Sequence, residues 1–194
     1  MVGEQSLKLF FALWPDADTR TALNQAGKWL HKTWGGRRMH SDSLHLTLAF
    51  LGDTSMTRLD ELRRLAAAVA GEAFTLTLDH PGCWQHNHVG WLGASEPPAA
   101  LGQWASNLTA ALHTAQFSFD PRPFVPHVTL LRNARCTAPP VCQAVVWRAE
   151  YFALLASRRM ESGGGYEVLG EWPLSTSICA ANAENPDGEI SSSA

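Results

Sequence analysis

Ser43-Leu44-His45-Leu46-Thr47-Leu48-Ala49-Phe50-Leu51-Gly52 (SLHLTLAFLG) contains a tetrapeptide, His45 to Leu48, that returns in the second half of the chain as His127-Val128-Thr129-Leu130 within FVPHVTLLR, residues 124–132. Both copies lie in short runs rich in apolar and β-branched residues, the mark of a strand. Side chains alternate faces along a strand with period two. His45 and Thr47 therefore share one face, with Leu46, Leu48 and Phe50 on the other. His127 and Thr129 repeat the pattern, with Val128 and Leu130 behind them. One such copy is most simply a surface or structural histidine. Two copies, each within a similar order of elements, point to a cleft holding two imidazoles and two hydroxyls.

The flanking segments supply those elements. Leu7–Trp14 predicts a buried strand, and Asp16 or Asp18 can cap a helix reaching about Trp34, with Leu23, Ala26, Leu30 and Trp34 at helical spacing. The first motif strand spans about Leu44–Leu51, and Gly52-Asp53 is expected to turn the chain. A second helix is expected from about Thr57 to Ala70, with Thr57 and Asp60 resembling a capping box. Phe74–Asp79 and His88–Gly93 predict a pair of strands. Pro97-Pro98 opens a third helix, whose stripe includes Leu101, Trp104, Leu108 and Leu112. The second motif strand is Val125–Leu131. Ala144–Ser157 holds one or two strands and Tyr166–Pro173 another, with Gly163-Gly164-Gly165 as the turn between them.

This order suggests a drifted internal duplication. The expected fold is α+β: two pseudo-symmetric lobes of antiparallel sheet with outer helices, around a central cleft that carries the two H-x-T-L strands. Residues 1–179 form one bilobal domain in this reading. The polar end, 180–194, is expected to be a disordered tail.

The 194 residues are 45% hydrophobic and 17% charged, enough for a substantial core. A net charge of −3 excludes a polybasic nucleic-acid coat, so phosphate binding must come from a local cluster. No run approaches the roughly 18 apolar residues of a membrane helix. The first residues lack the apolar core of a signal peptide. The four cysteines, Cys83, Cys136, Cys142 and Cys179, form no C-x-x-C pair and no spacing typical of a disulfide framework. A reduced, cytoplasmic monomer without membrane association is the expectation.

Two histidines beside two threonines suit phosphoryl transfer. Hydrolysis of a cyclic phosphodiester needs a base to deprotonate water and an acid to protonate the leaving ribose oxygen. Imidazole can serve as either near neutral pH. A hydroxyl on the same face can donate to the non-bridging phosphate oxygens. The paired motifs resemble the 2H phosphoesterase superfamily, and more closely its RNA 2′,3′-cyclic phosphodiesterases, also called 2′-5′ RNA ligases. The likeness runs from LKLFFALWPDADTRTAL through LHLTLAFLGD and RPFVPHVTLLR to SRRMESGGGYEVLGEWPL.

That resemblance implies a two-lobed fold with a central cleft. It implies His45 as proton donor, His127 as the base that activates water, and Thr47 and Thr129 as phosphate-holding residues. The implied substrates are RNA termini or nucleotides ending in a 2′,3′-cyclic phosphate, the product is a 2′-phosphomonoester, and the reverse reaction joins a 5′-hydroxyl in a 2′-5′ bond. No metal or nucleotide cofactor is implied. Arg132 matches the arginine that ends the second motif strand, although strict alternation places it on the face opposite His127. Arg158, Tyr166 and Arg38 are further candidates for the cleft wall. Ser41 and Ser43 stand where the family often has Pro and Asn.

His80, Cys83, His86 and His88 lie close together but fit no common zinc spacing. A loop at the cleft rim is the better reading, with Trp84 covering core or stacking a base. No nucleophile elbow, P-loop or dinucleotide fingerprint is present. The alternatives are a catalytically idle RNA- or nucleotide-binding module on the same scaffold, and a phosphodiesterase for another small cyclic phosphodiester.

Overall fold

The computed structural model describes residues 5–69, 71–160 and 163–175; Cys179 and the expected tail lie outside them. The chain runs β1 (Ser6–Leu13), α1 (Ala17–Trp34), β2 (Arg37–Arg38), β3 (Leu46–Ser55), α2 (Leu59–Ala68), β4 (Phe74–Leu78), β5 (His80–Trp84) and β6 (Val89–Gly93). It continues with α3 (Ala99–Thr114), β7 (His127–Arg132), β8 (Val145–Ala149), β9 (Tyr151–Met160) and β10 (Gly163–Pro173). The main sheet has the order β10-β9-β1-β3-β7-β6-β5, with β2 also beside β7, while β4 and β8 form a separate pair. Its strand pairs are antiparallel. The two motif strands are thus central neighbours in one sheet, joined where Leu46 pairs with Val128.

Strand β1 explains why LFFAL, residues 9–13, is apolar throughout. Leu9, Phe11 and Leu13 enter the main core with Leu23, Leu30 and Trp34 of α1 and Leu101, Trp104 and Leu108 of α3. Phe10 and Ala12 alternate to the other face, where they pack with Ala153, Leu155, Trp14 and Tyr166. Each fully buried Leu or Phe contributes about 1.5–3 kcal/mol, so this sandwiched strand anchors both faces. Helix α1 starts as expected: the Asp16 side chain accepts from the Thr19 amide at 2.7 Å.

Several local expectations are corrected. Gly52-Asp53 does not turn the chain. Gly52 has φ of 70°, a conformation glycine takes without a Cβ clash, and β3 continues along β1 to Ser55. Helix α2 begins at Leu59 without a capping box, because a 3₁₀ turn, Met56–Arg58, precedes it and Ser55 caps that turn. Strand β4 pairs with β8, and β6 pairs instead with His80–Trp84. Pro81 and Gly82 argued against a strand there. As an edge strand β5 tolerates Pro81, and Gly82 leaves no room for a Cβ under the Trp91 ring. Gly163–Gly165, expected as a turn, already belong to β10.

Cys83 and Cys136 form a disulfide, contrary to the expectation of free thiols. The sheet brings them together: Cys83 pairs with Gly90, Gly90 pairs with Leu131, and Cys136 follows β7. Their Cα atoms are 5.2 Å apart across a sequence separation of 53 residues. No helix among the described residues is long and apolar enough to cross a membrane.

Candidate active site

The Leu46–Val128 pair sets the geometry. Extending the antiparallel register by one residue each way puts His45 beside Thr129 and Thr47 beside His127. Paired residues project to the same face, so the four side chains form a two-by-two array. All four line one cavity of about 180 Å³, together with Arg132, Tyr166 and Phe10. Behind them Leu46, Val128 and Leu130 are fully buried.

The histidine rings are fixed identically. His45 Nδ1 lies 2.8 Å from the Ser43 carbonyl oxygen, and His127 Nδ1 lies 2.7 Å from that of Val125. A carbonyl only accepts, so each Nδ1 carries the hydrogen and each Nε2 is left for the cleft. Around His45 stand Phe10 (4.9 Å between ring centroids), Tyr166 edge-on (5.0 Å) and Trp14 stacked (6.0 Å). Trp84 is edge-on to His127 at 4.6 Å.

Arg132 reaches this face because β7 is irregular. Gly90 pairs with Leu131 and Trp91 with Thr129, so the register slips across Leu130. Leu130 and Leu131 are consecutively buried, and Arg132 returns to the histidine side. Strand β3 slips in the same way across Leu48, since Phe11 pairs with Ala49 and Ala12 with Thr47. The offset relating His45 to His127 also relates Leu48 to Leu130 and Phe50 to Arg132. Phe50, 43% exposed, accordingly lines the cleft as the first-copy counterpart of Arg132. The double apolar steps Leu48-Ala49 and Leu130-Leu131 were the sequence signal for both bulges.

Among the described residues, Arg132 is the one formally charged group lining this cavity, so the site favours an anion. Burial among the aromatic rings pushes the His45 imidazolium down to about 4, and the nearby His127 and Arg132 add to the fall. Burial also lowers His127, helped by Arg122 and Arg132. The carbonyl bonds at Nδ1 oppose both shifts without cancelling them. Burial raises the Tyr166 phenol, keeping it protonated.

Among the expected site residues, the structure brings His45, Thr47, His127, Thr129, Arg132 and Tyr166 together. Trp84 joins them at the flank of His127. Arg38 does not: on β2 it donates to Asn24 Oδ1 at 3.2 Å. Arg158 is likewise taken up by Glu167. In the second cluster Cys83 is bonded to Cys136, which removes its sulfur from any metal-ligand set. His80 packs against Trp91, and His88 Nδ1 bonds the Ala134 carbonyl. Phe10 and Ser157 were missed, and Phe50, expected on the reverse face with Leu46 and Leu48, is turned into the cleft by the bulge at Leu48.

A second, larger cavity of about 1,090 Å³ adjoins the first. The two share Thr47, Phe50, His127, Thr129 and Arg132, whereas His45 lines the smaller alone.

Known proteins share this framework. A sequence profile of the 2′-5′ RNA ligase superfamily matches residues 15–157. An RNA 2′,3′-cyclic phosphodiesterase of Escherichia coli (strain K12) is 36% identical over 169 residues, covering 86% of this chain and 96% of that protein. An RNA 2′,3′-cyclic phosphodiesterase of Thermus thermophilus is 28% identical over 192 residues, covering 93% and 96%. The crystal structure of E. coli LigT complexed with 3′-AMP superposes with a TM-score of 0.80 at 35% identity, covering 88% of this chain and 99% of that one.

Proposed function

The chain belongs to the 2′-5′ RNA ligase superfamily, and we propose that it hydrolyses RNA or nucleotide 2′,3′-cyclic phosphodiesters to 2′-phosphomonoesters. The observation that carries this reading is the two-by-two array of His45, Thr47, His127 and Thr129 around a cavity that Arg132 also lines. The relatives of the same name, and the nucleotide held by LigT, support the substrate class.

In the proposed reaction the cyclic phosphate lies over the array. Thr47 and Thr129 hydroxyls donate to its non-bridging oxygens, and the Arg132 guanidinium offsets their charge. His127 Nε2 takes a proton from water as the oxygen attacks phosphorus. His45 Nε2–H gives its proton to the departing ribose 3′ oxygen, leaving phosphate on the 2′ oxygen. The two contributions are worth about 10²–10⁴ in rate each. His45 needs a proton that burial makes hard to hold. An incoming phosphodiester anion supplies the missing counter-charge and raises both imidazoles.

We place this activity in the cytoplasm and in a monomer, acting on RNA ends. The test is turnover of 2′,3′-cyclic AMP and of a short RNA with a 2′,3′-cyclic end, in the presence of a chelator. Metal-independent turnover of either supports the reading. Absence of turnover on both contradicts it.

A further inference from the structure

We propose that Trp84 is a positioning residue for His127, and that the Cys83–Cys136 bond holds it there, so that the reaction answers to the redox state of this one bond. This rests on the function proposed above. It adds a residue that acts through another, and a switch on it.

The two histidines are unequally supported. The carbonyl that anchors His45 belongs to Ser43, buried in the 3₁₀ turn Ser41–Ser43, whose hydroxyl donates to the His40 carbonyl at 2.7 Å. Phe10, on the interior strand β1, backs the ring. The anchor of His127 is the Val125 carbonyl, in the irregular segment before β7, and Val125 is 47% exposed. That ring is backed by two indoles, Trp84 edge-on at 4.6 Å and Trp91 at 6.1 Å between centroids. Trp91 stands on β6, which has a partner on each side, whereas Trp84 stands on β5, an edge strand paired with β6 alone. Pro81 also withholds one amide from that pairing. The nearer ring is carried by the weaker strand.

The disulfide makes up the difference. Cys83 immediately precedes Trp84, and its partner Cys136 lies in a segment pinned on both sides to the end of α1. The Arg135 amide donates to the Trp34 carbonyl at 2.8 Å, and the buried Trp34 indole donates to the Thr137 carbonyl at 3.1 Å. The bond therefore ties the edge strand, one residue from Trp84, to a point anchored in the core. With the bond open, Trp84 is free to leave His127, and the imidazole can turn its Nδ1–H away from Val125. A base misplaced by about 1 Å costs on the order of 10²-fold in rate.

Both cysteines are half-buried, within reach of a small thiol. The co-reactant is a dithiol. One of its sulfurs, as thiolate, attacks a protein sulfur, the S–S bond breaks, and a mixed disulfide forms. The second sulfur displaces the first attachment. The dithiol ends as a disulfide, and its two hydrogens end on Cys83 and Cys136.

The test compares oxidised protein, protein reduced with dithiothreitol, Cys83→Ser with Cys136→Ser, Trp84→Ala and Trp84→Phe, all well below their melting temperatures. It measures kcat and KM for 2′,3′-cyclic AMP, and the ring-nitrogen NMR signals of neutral His127 in ligand-free protein. Trp84→Ala should lower kcat about tenfold to a hundredfold, and reduction or the double serine variant about threefold to tenfold, with KM within about twofold. The His127 signals should pass from a single Nδ1–H tautomer to a mixture. Trp84→Phe, which keeps a ring there, should retain most of kcat. Reducing Trp84→Ala should change nothing further, because the bond acts through that ring. Equal kcat and unchanged His127 signals in oxidised and reduced protein overturn the inference. A raised KM with unchanged kcat in Trp84→Ala assigns the indole to the substrate and also overturns it. So does an equal further loss on reducing Trp84→Ala. Absence of hydrolysis in the oxidised wild type refutes the underlying function instead, and the His127 signals then decide the positioning role by themselves.

Discussion

His45 and His127 are held by the same contact: the Nδ1–H of each donates to the carbonyl oxygen two residues earlier, Ser43 at 2.8 Å and Val125 at 2.7 Å. Each ring is pinned from outside the cleft, and each Nε2 is free to exchange a proton with a ligand. Their difference lies in surroundings. His45 is walled by Phe10, Trp14 and Tyr166, while His127 opens toward the larger cavity. A symmetric device in unequal environments is what separate acid and base roles require.

Thr47 and Thr129 are expected to act on the reacting phosphate. Thr47→Val and Thr129→Val keep the shape and remove the donor, so each should lower kcat/KM by about 10²–10³ with an unchanged melting temperature. Steady-state kinetics on 2′,3′-cyclic AMP checks this. Less than a threefold loss in both removes the hydroxyls from the mechanism.

The lowered histidines set the pH response. Turnover needs one ring protonated and one neutral, and both pKa values in the free protein lie below the ordinary 6.5, His45 at about 4. The bell of kcat/KM, which reports free protein, should peak below pH 6.5. The bell of kcat should lie higher, because bound anion raises both rings. A kcat/KM maximum above pH 7.5 contradicts the burial argument.

Stability follows the same shift. The folded His45 pKa is below its unfolded value, so the neutral ring favours the fold. That contribution, on the order of 3 kcal/mol, is complete above about pH 6.5 and is lost as pH falls toward 4. Melting temperatures between pH 7 and 4.5 should fall less steeply in His45→Ala than in wild type. Parallel curves would refute the link.

Arg132→Met should weaken binding of inorganic phosphate tenfold to a hundredfold. It should also move the kcat/KM bell to higher pH, since the Arg132 charge helps depress both histidines. Calorimetry and the pH profile test the two effects separately. Unchanged phosphate affinity would return Arg132 to a structural role.

The Cys83–Cys136 bond ties β5, with Trp84, to the segment after β7. Cys83→Ser with Cys136→Ser should cost about 2–4 kcal/mol of stability relative to the oxidised protein. Reductant should lower the melting temperature of wild type and leave that variant unmoved. Oxidised and reduced protein melting alike would show that the bond contributes nothing.

The motif residues were legible because their pattern is local: four residues, written twice, with period-two alternation. Arg132 was named by resemblance, but the face it takes was not legible, because alternation fails at a bulge that only the pairing of Leu131 with Gly90 reveals. The β4–β8 pair and the Cys83–Cys136 bond join segments far apart in sequence, which no local pattern encodes. Pro81 and Gly82 hid an edge strand behind turn-like residues. Arg38 and Arg158 were reasonable cations, but Asn24 and Glu167 hold them elsewhere. Phe10 and Phe50 sit in strands so apolar that their cleft-facing role was hidden among core residues.

The most direct test is phosphorus NMR of the product from a 2′,3′-cyclic-ended RNA, for wild type, His45→Ala and His127→Ala. The expected product is a 2′-phosphomonoester, with turnover reduced at least 10²-fold by either substitution while the circular dichroism spectrum is retained. A 3′-phosphomonoester would contradict the placement of the leaving 3′ oxygen at His45. Normal turnover in either variant would contradict two-histidine catalysis itself.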